Sequence, residues 1–563
     1  MLEILMIYTA LALILIPIFR MQGAVHGYSE AKEYVFITLS AAAFIVMLFT
    51  GIPVLSRPMD WLFLALVSYI TLSVYWSDSP SLAVKDVPRW WAIFIFYLAC
   101  SHVPRETLIL ALFLPAPVIA AYGMYQQIRC KDPLDHWVAD LLKNHAKALR
   151  FYSFLGNSNY SGSYLVGAIF AGVYCTANIS LWFTPFLALV IVGIALTRAR
   201  GAWVGVVFGF LGVIPEAWPL MIPMFIAMGI ISWKRFEPAR TRVHFLNVGW
   251  TMFKERFLFG WGPASFRRKI FKTQAFMNQQ NPRILGTLKK RAQIPTPLAK
   301  RMHNDHAEMF VEFGVIGAGL WLAFIGLGMY QAIMSGQWYI AGGILAISIN
   351  ALFFYPVRVV GIGLALWAFL GTAGSSQPAV AAFFLPPLYL SIPLALVVAM
   401  VTWEFAVKRL LAVGHMFHYH LSVRTNNRAE GETHLKSALE LDPLNGHILA
   451  EFGAFYANTS PAMGISTLMR SIDLYDGEKI EWSLWVQMGN VAVLNGAAEF
   501  ARVCFRMAIY LNPSYKKPHE CLIELDKLIK KLGGKRPGVP DGYTTSGDGG
   551  VLVKDKRIIK AVK

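Results

Sequence analysis

The sequence predicts an all-α protein, a polytopic membrane helical bundle of about 12–14 spans with a C-terminal helical repeat domain. Three observations carry that prediction. Of 563 residues, 56% are apolar and only 15% charged, whereas soluble domains carry about 25% charged residues. Apolar runs of about 20 residues, enough to cross a hydrocarbon core, recur up to residue 402. Beyond residue 403 the composition turns to that of a water-soluble helical protein, and one short phrase returns at a nearly fixed interval.

By the length rule thirteen segments qualify: 2–19, 35–54, 59–76, 88–103, 107–126, 160–178, 180–197, 201–214, 216–233, 309–333, 337–355, 357–373 and 380–402. The run Ile4 to Phe19 lacks a basic flank and a small-residue cleavage site, so it reads as a first span and not as a removable signal. Cys100, Cys130, Cys175, Cys504 and Cys521 form no C-x-x-C pair and no metal-ligand spacing, a pattern that predicts neither a disulfide framework nor a zinc site. The expected organisation is 1–233 N-terminal membrane helices, 234–308 a large basic loop, 309–402 C-terminal membrane helices, 403–535 helical repeats and 536–563 a disordered basic tail.

The formal net charge is +18, and what matters is where it sits. Between Lys234 and Arg301 there are sixteen Lys or Arg against Glu237 and Glu255, a net of +14. A basic segment tethered between membrane helices meets lipid phosphates and pyrophosphates first, and the planar arginine fork suits them. Membrane lipids are therefore the expected partners, and no nucleic acid is expected. A second long connection, Ile128 to Tyr152, mixes Trp137, Leu141 and Leu142 with Lys143, Lys147 and Arg150, the pattern of a helix lying at the interface.

Polar groups inside a membrane protein are expensive and are functional candidates by default. The first cluster is RFYSFLGNSNYSG, with Arg150, Asn157 and Asn159 at the start of a span; its competing reading is a helix cap. The second is LTRARGAW, where Arg198 reads as a snorkelling side chain and Arg200, followed by Gly201, as either that or a functional group. The third is HNDHAEMFVEFGVIGAG, opening at His303. A histidine there can act as a general base, with Asn304 orienting it or capping the helix and Glu312 bonding a neighbouring helix or the histidine. Read as metal ligands, His303, Asp305, His306 and Glu308 fit no standard zinc spacing. Arg358, in YPVRVVGIG, is either a second phosphate contact or a partner of a helix C-terminus.

The phrases SALELDP, SIDLYDG and AIYLNP, at 437–443, 471–477 and 508–513, recur every 33 to 37 residues beside helical patterns. They look like tetratricopeptide repeats, which stack helix pairs into a protein-binding solenoid and imply a protein partner.

The three polar clusters, in this order and separated by these spans, resemble the O-antigen ligase and O-antigen polymerase superfamily, which includes bacterial protein O-oligosaccharyltransferases. The likeness covers about residues 35–375. HNDHAEMFVEFGVIG is similar to the family's His-Asn-x-Tyr-Leu run followed by Glu and Gly-x-x-Gly, with His306 and Ala307 in place of Tyr and Leu. TRARGAW resembles the Ser-Arg-Gly segment, with Ala199 at the serine. RVHFLNVGWTMFKERFLFGWGPASF, 242–266, resembles the arginine-led helix running into a Pro-Leu-hydrophobic-Gly-x-Gly turn, with Phe257 at the proline and Gly260 and Gly262 kept.

The resemblance implies a membrane glycan transferase taking saccharide from an undecaprenyl-pyrophosphate-linked donor, with no metal, nucleotide or other cofactor. Its acceptor would be a glycolipid such as lipid A core, a growing glycan or a protein hydroxyl. Arg200 and Arg242 would hold the pyrophosphate and His303 would deprotonate the acceptor, with Arg150, Asn157, Asn159, Asn304, Glu312 and Arg358 as further substrate contacts. It also implies a multi-pass protein of the bacterial inner membrane with the active-site loop facing the periplasm. Arg20, Lys32, Lys85 and Arg89 then fall on the outer side, against the positive-inside tendency. Competing readings are a non-catalytic lipid-linked glycan flippase or channel, and a scaffold built on the repeats.

Overall fold

The computed structural model describes residues 2–19, 30–49, 53–129, 151, 153–213, 237–280, 301–373, 383–384, 388–457, 459–474, 481–512, 516–531, 545–546 and 550–551. The chain forms two compact units. The first comprises Met1–Leu246, Phe253–Pro263 and Arg301–Phe417; the second comprises Asn247–Met252, Ala264–Lys300 and His418–Lys563.

The first unit is a helical bundle. The described helices of the chain up to residue 424, all of the first unit unless stated, are α1 (Leu2–Ile18), α2 (Glu30–Leu48), α3 (Pro58–Leu72), α4 (Pro80–His102), α5 (Arg105–Phe113), α6 (Pro115–Arg129), α7 (Ser158–Tyr174), α8 (Thr184–Thr197), α9 (Arg200–Val213), α10 (Glu237–Glu255, shared with the second unit), α11 (Ser265–Gln280, of the second unit), α12 (Asp305–Met334), α13 (Trp338–Ala351), α14 (Val360–Thr372), α15 (Leu388–Thr402) and α16 (Lys408–Arg424, shared). Twelve of the thirteen segments expected to span fall on these helices; 216–233 lies outside the described residues. Among the described residues six stretches are long and apolar enough to cross a membrane: Ala31–Leu48, Pro58–Trp76, Arg105–Ile128, Ser158–Ile179, Asp305–Met334 and Leu390–Arg424. Five apolar helices are shorter, namely Glu3–Ile18, Leu181–Thr197, Arg200–Gly212, Trp338–Ala351 and Val360–Thr372. α4 is 23 residues long but carries Lys85, Asp86 and Arg89.

A helix that is apolar all round belongs in the middle of a bundle. α14, VGIGLALWAFLGT, is buried along its whole length and packs on α4, α7 and α13. Helices in lipid gain little from apolar surface alone and associate where small residues let backbones approach. α9 and α13 do so: a Cβ on Gly205 would lie 2.4 Å from the Ala346 carbonyl oxygen, and one on Gly209 2.7 Å from that of Gly342. Between α3, α4, α12 and α14 the core is aromatic, with Phe63 stacked on Trp367 at 5.4 Å and Trp321 beside Trp367 at 5.8 Å.

α12 is interrupted. Gly314 has φ +62° and ψ −165°, which frees backbone groups on both sides. In a membrane protein such groups need partners, because water is absent. The turn FLFGWG, 257–262, supplies them in both directions. Trp261 and Gly262 donate to the carbonyls of Val311 and Glu312 at 3.1 and 2.7 Å, and Val315 donates to the carbonyl of Phe257 at 2.8 Å. The Tyr69 hydroxyl donates to the Phe313 carbonyl at 3.1 Å. Gly260, at φ +71°, meets the Glu312 carbonyl so closely that a Cβ would sit 2.4 Å from it.

The second unit contains α17 (Arg428–Leu441), α18 (Gly446–Tyr456), α19 (Pro461–Asp473), α20 (Glu481–Leu494), α21 (Ala498–Leu511) and α22 (Lys516–Lys531). α18 pairs with α19 and α20 with α21, and the two pairs start 35 residues apart, at Gly446 and Glu481. The described part of each recurring phrase lies at the C-terminal end of a helix, on α17, α19 and α21. α11 of the basic loop packs here against α21, burying Phe266, Ile270, Phe271 and Ala275. Arg268 Nη1 donates to the Ile472 carbonyl at 2.6 Å, at the negative end of the α19 dipole.

The Gly314 break is testable. A methyl there would lie 2.3 Å from the Leu258 carbonyl oxygen at a φ that L residues avoid. Gly314→Ala should therefore destabilise the bundle by about 2–4 kcal/mol. Thermal unfolding in detergent should show a midpoint lower by several degrees; an unchanged midpoint would mean that the break is not needed.

Candidate functional site

His303 lies where the basic loop rejoins the membrane helices. The next residue, Asn304, is the N-cap of α12, its Oδ1 accepting from the Ala307 amide at 2.9 Å. His303 itself is forced into the left-handed region, φ +58°, which costs a non-glycine residue about 1–3 kcal/mol and persists only when its surroundings over-determine it. The surroundings do so. Glu308 accepts from the Met302 amide at 2.9 Å and from Arg301 Nη1 at 3.1 Å. Asp305 donates its amide to the Phe354 carbonyl at 3.2 Å and accepts from the Val357 amide at 2.8 Å.

The imidazole sits among aromatic rings. Phe245 is parallel to it, 11° between planes and 5.9 Å between centroids. Tyr355 meets it edge-on at 5.0 Å, and the Tyr355 hydroxyl lies 3.1 Å from that of Tyr160. Phe245 is on α10, three residues after Arg242, so the two share one face of that helix. Burial, and then the positive charge of Arg242, push the pKa of His303 down to about 4, with Glu308 pulling the other way. His303 is therefore neutral at neutral pH and able to accept a proton.

Arg242 is half-buried, and its own pKa is lowered by burial and by a second cation, Arg200. Arg200 opens α9 two residues after the left-handed residue Arg198, which caps α8 and is exposed. The start of α9 is held close to the segment after α13, since a Cβ on Gly201 would lie 2.8 Å from Phe353 Cβ. Three residues predicted from separate parts of the sequence, Arg200, Arg242 and His303, thus share one electrostatic neighbourhood in the first unit. Like charges held together raise each other's energy, and a bound polyanion relieves that cost.

Beneath His303 lies a buried ionic cluster. α12 presents Asp305, Glu308 and Glu312 on one face, at i, i+3 and i+7. Arg358 lies against all three: its Nε is 3.6 Å from Asp305, its Nη1 3.3 Å from Glu308, and Nη1 bonds Glu312 directly. All four side chains are almost wholly buried. The charge of Arg358 is thus committed to α12, and that of Glu312 to Arg358.

The remaining predicted residues fall as follows. Asn157 is the N-cap of α7, its side chain accepting from the Asn159 amide at 2.8 Å, and Asn159 is half-buried in the first turn. Arg150 lies outside the described residues. Among the weighed metal ligands, His306 is turned to other partners, with Nδ1 accepting from Trp321 Nε1 at 3.1 Å and Nε2 donating to the Ser348 carbonyl at 2.9 Å. Sequence reading missed Phe245, Tyr160 and Tyr355, and the bonds of Glu308. The three-residue spacing from Arg242 to Phe245 was the available signal. No family model matches this chain, and neither does any curated protein.

The cluster predicts a specific instability. Removing one partner of a buried ion pair typically costs about 3–5 kcal/mol, because the other charge is left uncompensated. Arg358→Met should lose about that much in thermal or denaturant unfolding, and adding Glu312→Leu should recover part of it. If Arg358→Met unfolds like the parent, the network is dispensable.

Proposed function

We propose that this protein is a membrane glycan transferase of the O-antigen ligase and polymerase type. It would use an undecaprenyl-pyrophosphate-linked saccharide as donor and a glycolipid, growing glycan or protein hydroxyl as acceptor. The observation that supports the reading most is the convergence of Arg200, Arg242 and His303, two cations beside a neutral imidazole.

The chemistry follows from that arrangement. Transfer from a pyrophosphate breaks the bond between the sugar's anomeric carbon and the phosphate oxygen, and negative charge builds on the departing group. Fixed cations stabilise that charge without reorganising, and this is commonly the largest single term in such a step. Arg242 and Arg200 take this role. The acceptor hydroxyl forms the new bond to the anomeric carbon and gives its proton to His303. Binding a pyrophosphate would offset the Arg242 charge that now depresses His303, so the donor itself would strengthen the base.

The reading places the protein in a bacterial inner membrane, with the site on the periplasmic side where such donors are presented. The C-terminal helix pairs are read as tetratricopeptide repeats that dock an acceptor protein or an assembly partner, supported by their 35-residue spacing.

In a deletion strain complemented with variants, His303→Ala and Arg242→Ala should each reduce glycan transfer by about 10²-fold or more at normal protein levels. Mass spectrometry of lipid-linked, surface and protein glycans reads the result. Accumulated single repeat units identify a polymerase, accumulated long chains a ligase, and missing protein glycans an oligosaccharyltransferase. Full transfer by both variants would overturn the enzyme reading in favour of a flippase or channel, and loss only on deleting 403–535 would favour a scaffold.

The acid limb of the pH profile gives a second check. A base with pKa about 4 in the free enzyme stays unprotonated down to that pH, so kcat/KM should fall only as pH drops through about 4. A fall centred near 6.5, the ordinary histidine value, would contradict the buried environment.

A further inference from the structure

We propose that Glu308 is the positioning residue of the His303 base. This rests on the reading of His303 as the base, and it assigns a role outside the residues that touch substrate.

His303 adopts a strained conformation at φ +58°, and such conformations persist where neighbouring bonds leave the chain no alternative. On the downstream side those bonds are the Asn304 cap and the two Asp305 bonds, to the Phe354 carbonyl and the Val357 amide. On the upstream side Glu308 provides the anchor. One carboxylate oxygen takes the Met302 amide at 2.9 Å, and the other takes Arg301 Nη1 at 3.1 Å. A single side chain, almost completely buried, thus holds the two residues that lead into His303.

Glu308 is itself immobilised. It is on the first turn of α12 and is paired with Arg358, 3.3 Å away. Its carboxylate is therefore fixed to Arg358, to the Arg301 guanidinium and to the Met302 backbone amide together. Among the described residues the charged groups that influence His303 are Arg242 and Glu308, and the rings of Phe245, Phe354 and Tyr355 pack around the imidazole. Arg242 opposes a proton on the ring and Glu308 favours one. Glu308 therefore aims the ring and also partly offsets the cation that weakens it.

The test uses the full-length protein. Amide hydrogen exchange over 301–304 is measured in detergent, and glycan transfer is measured by mass spectrometry in the complemented deletion strain. Glu308→Ala should raise exchange at the Met302 amide by about tenfold or more beyond any change seen in α14, and lower transfer by about 10²-fold. Glu308→Gln keeps an oxygen for the Met302 amide and should recover most of the protection and much of the transfer. Its His303 should titrate at lower pH, read by C2-proton exchange of the ring.

Should Glu308→Ala not accumulate, Glu308→Asp carries the test. It keeps the charge but is one methylene too short for Met302, and the same rise and loss are expected. Unchanged exchange over 301–304, or raised exchange with full transfer while His303→Ala is inactive, overturns the positioning role and leaves the base reading intact. Full transfer by His303→Ala removes the base, and with it the role proposed for Glu308.

Discussion

Arg358 and the three carboxylates of α12 are the interaction on which the rest of the first unit depends. Charges are buried in a membrane protein only when each is paired, because neither water nor lipid can solvate them there. Pairing then dictates geometry. The face of α12 carrying Asp305, Glu308 and Glu312 must turn toward Arg358. With that face fixed, Asp305 draws in the segment after α13 through Phe354 and Val357, and Glu308 draws in Arg301 and Met302. Those two segments carry Tyr355 and His303, so the aromatic setting of the histidine follows from an ionic constraint one layer below it.

The break at Gly314 extends the same logic to backbone groups. Interrupting a helix at membrane depth exposes carbonyls and amides that must be satisfied within the protein. The 257–262 turn satisfies them, and in doing so it ties the chain that follows α10 to the middle of α12. α10 carries Arg242 and Phe245. The position of Arg242 near His303 is therefore supported from both ends, by Phe245 against the imidazole and by the docked turn downstream.

The helical class and the positions of the helices were legible in the sequence because they depend on composition and run length, which act locally. Arg200, Arg242 and His303 were legible because arginine and histidine next to apolar spans are costly enough to stand out. Other roles resisted reading. Arg358 was weighed as a phosphate contact, yet its partners lie on α12, some fifty residues earlier in the chain. Asn157 and Asn304 were named as substrate contacts and also as caps, and the structure gives each a capping bond. Glu308 was weighed only as a metal ligand, since its bond to the Met302 amide requires a turn at His303 that nothing in the local sequence announces. Phe245, Tyr160 and Tyr355 look like ordinary apolar and interfacial residues until three segments meet.

The basic loop illustrates how one compositional signal can hold more than one physical role. As sequence it is a single block of positive charge with lipid phosphate as its natural counterpart. In the structure its cations divide. Arg242 belongs to the first unit, where its charge acts on His303 and is itself opposed by Arg200. Arg301 belongs there too, but its charge is spent on Glu308. Arg268 belongs to the second unit, where it meets a helix C-terminus, and no residue of α11 from Ser265 to Met277 is fully exposed. A cation that closes a helix end or a buried carboxylate is no longer available to attract lipid. The charge open to phosphate is consequently smaller than the loop's net of +14.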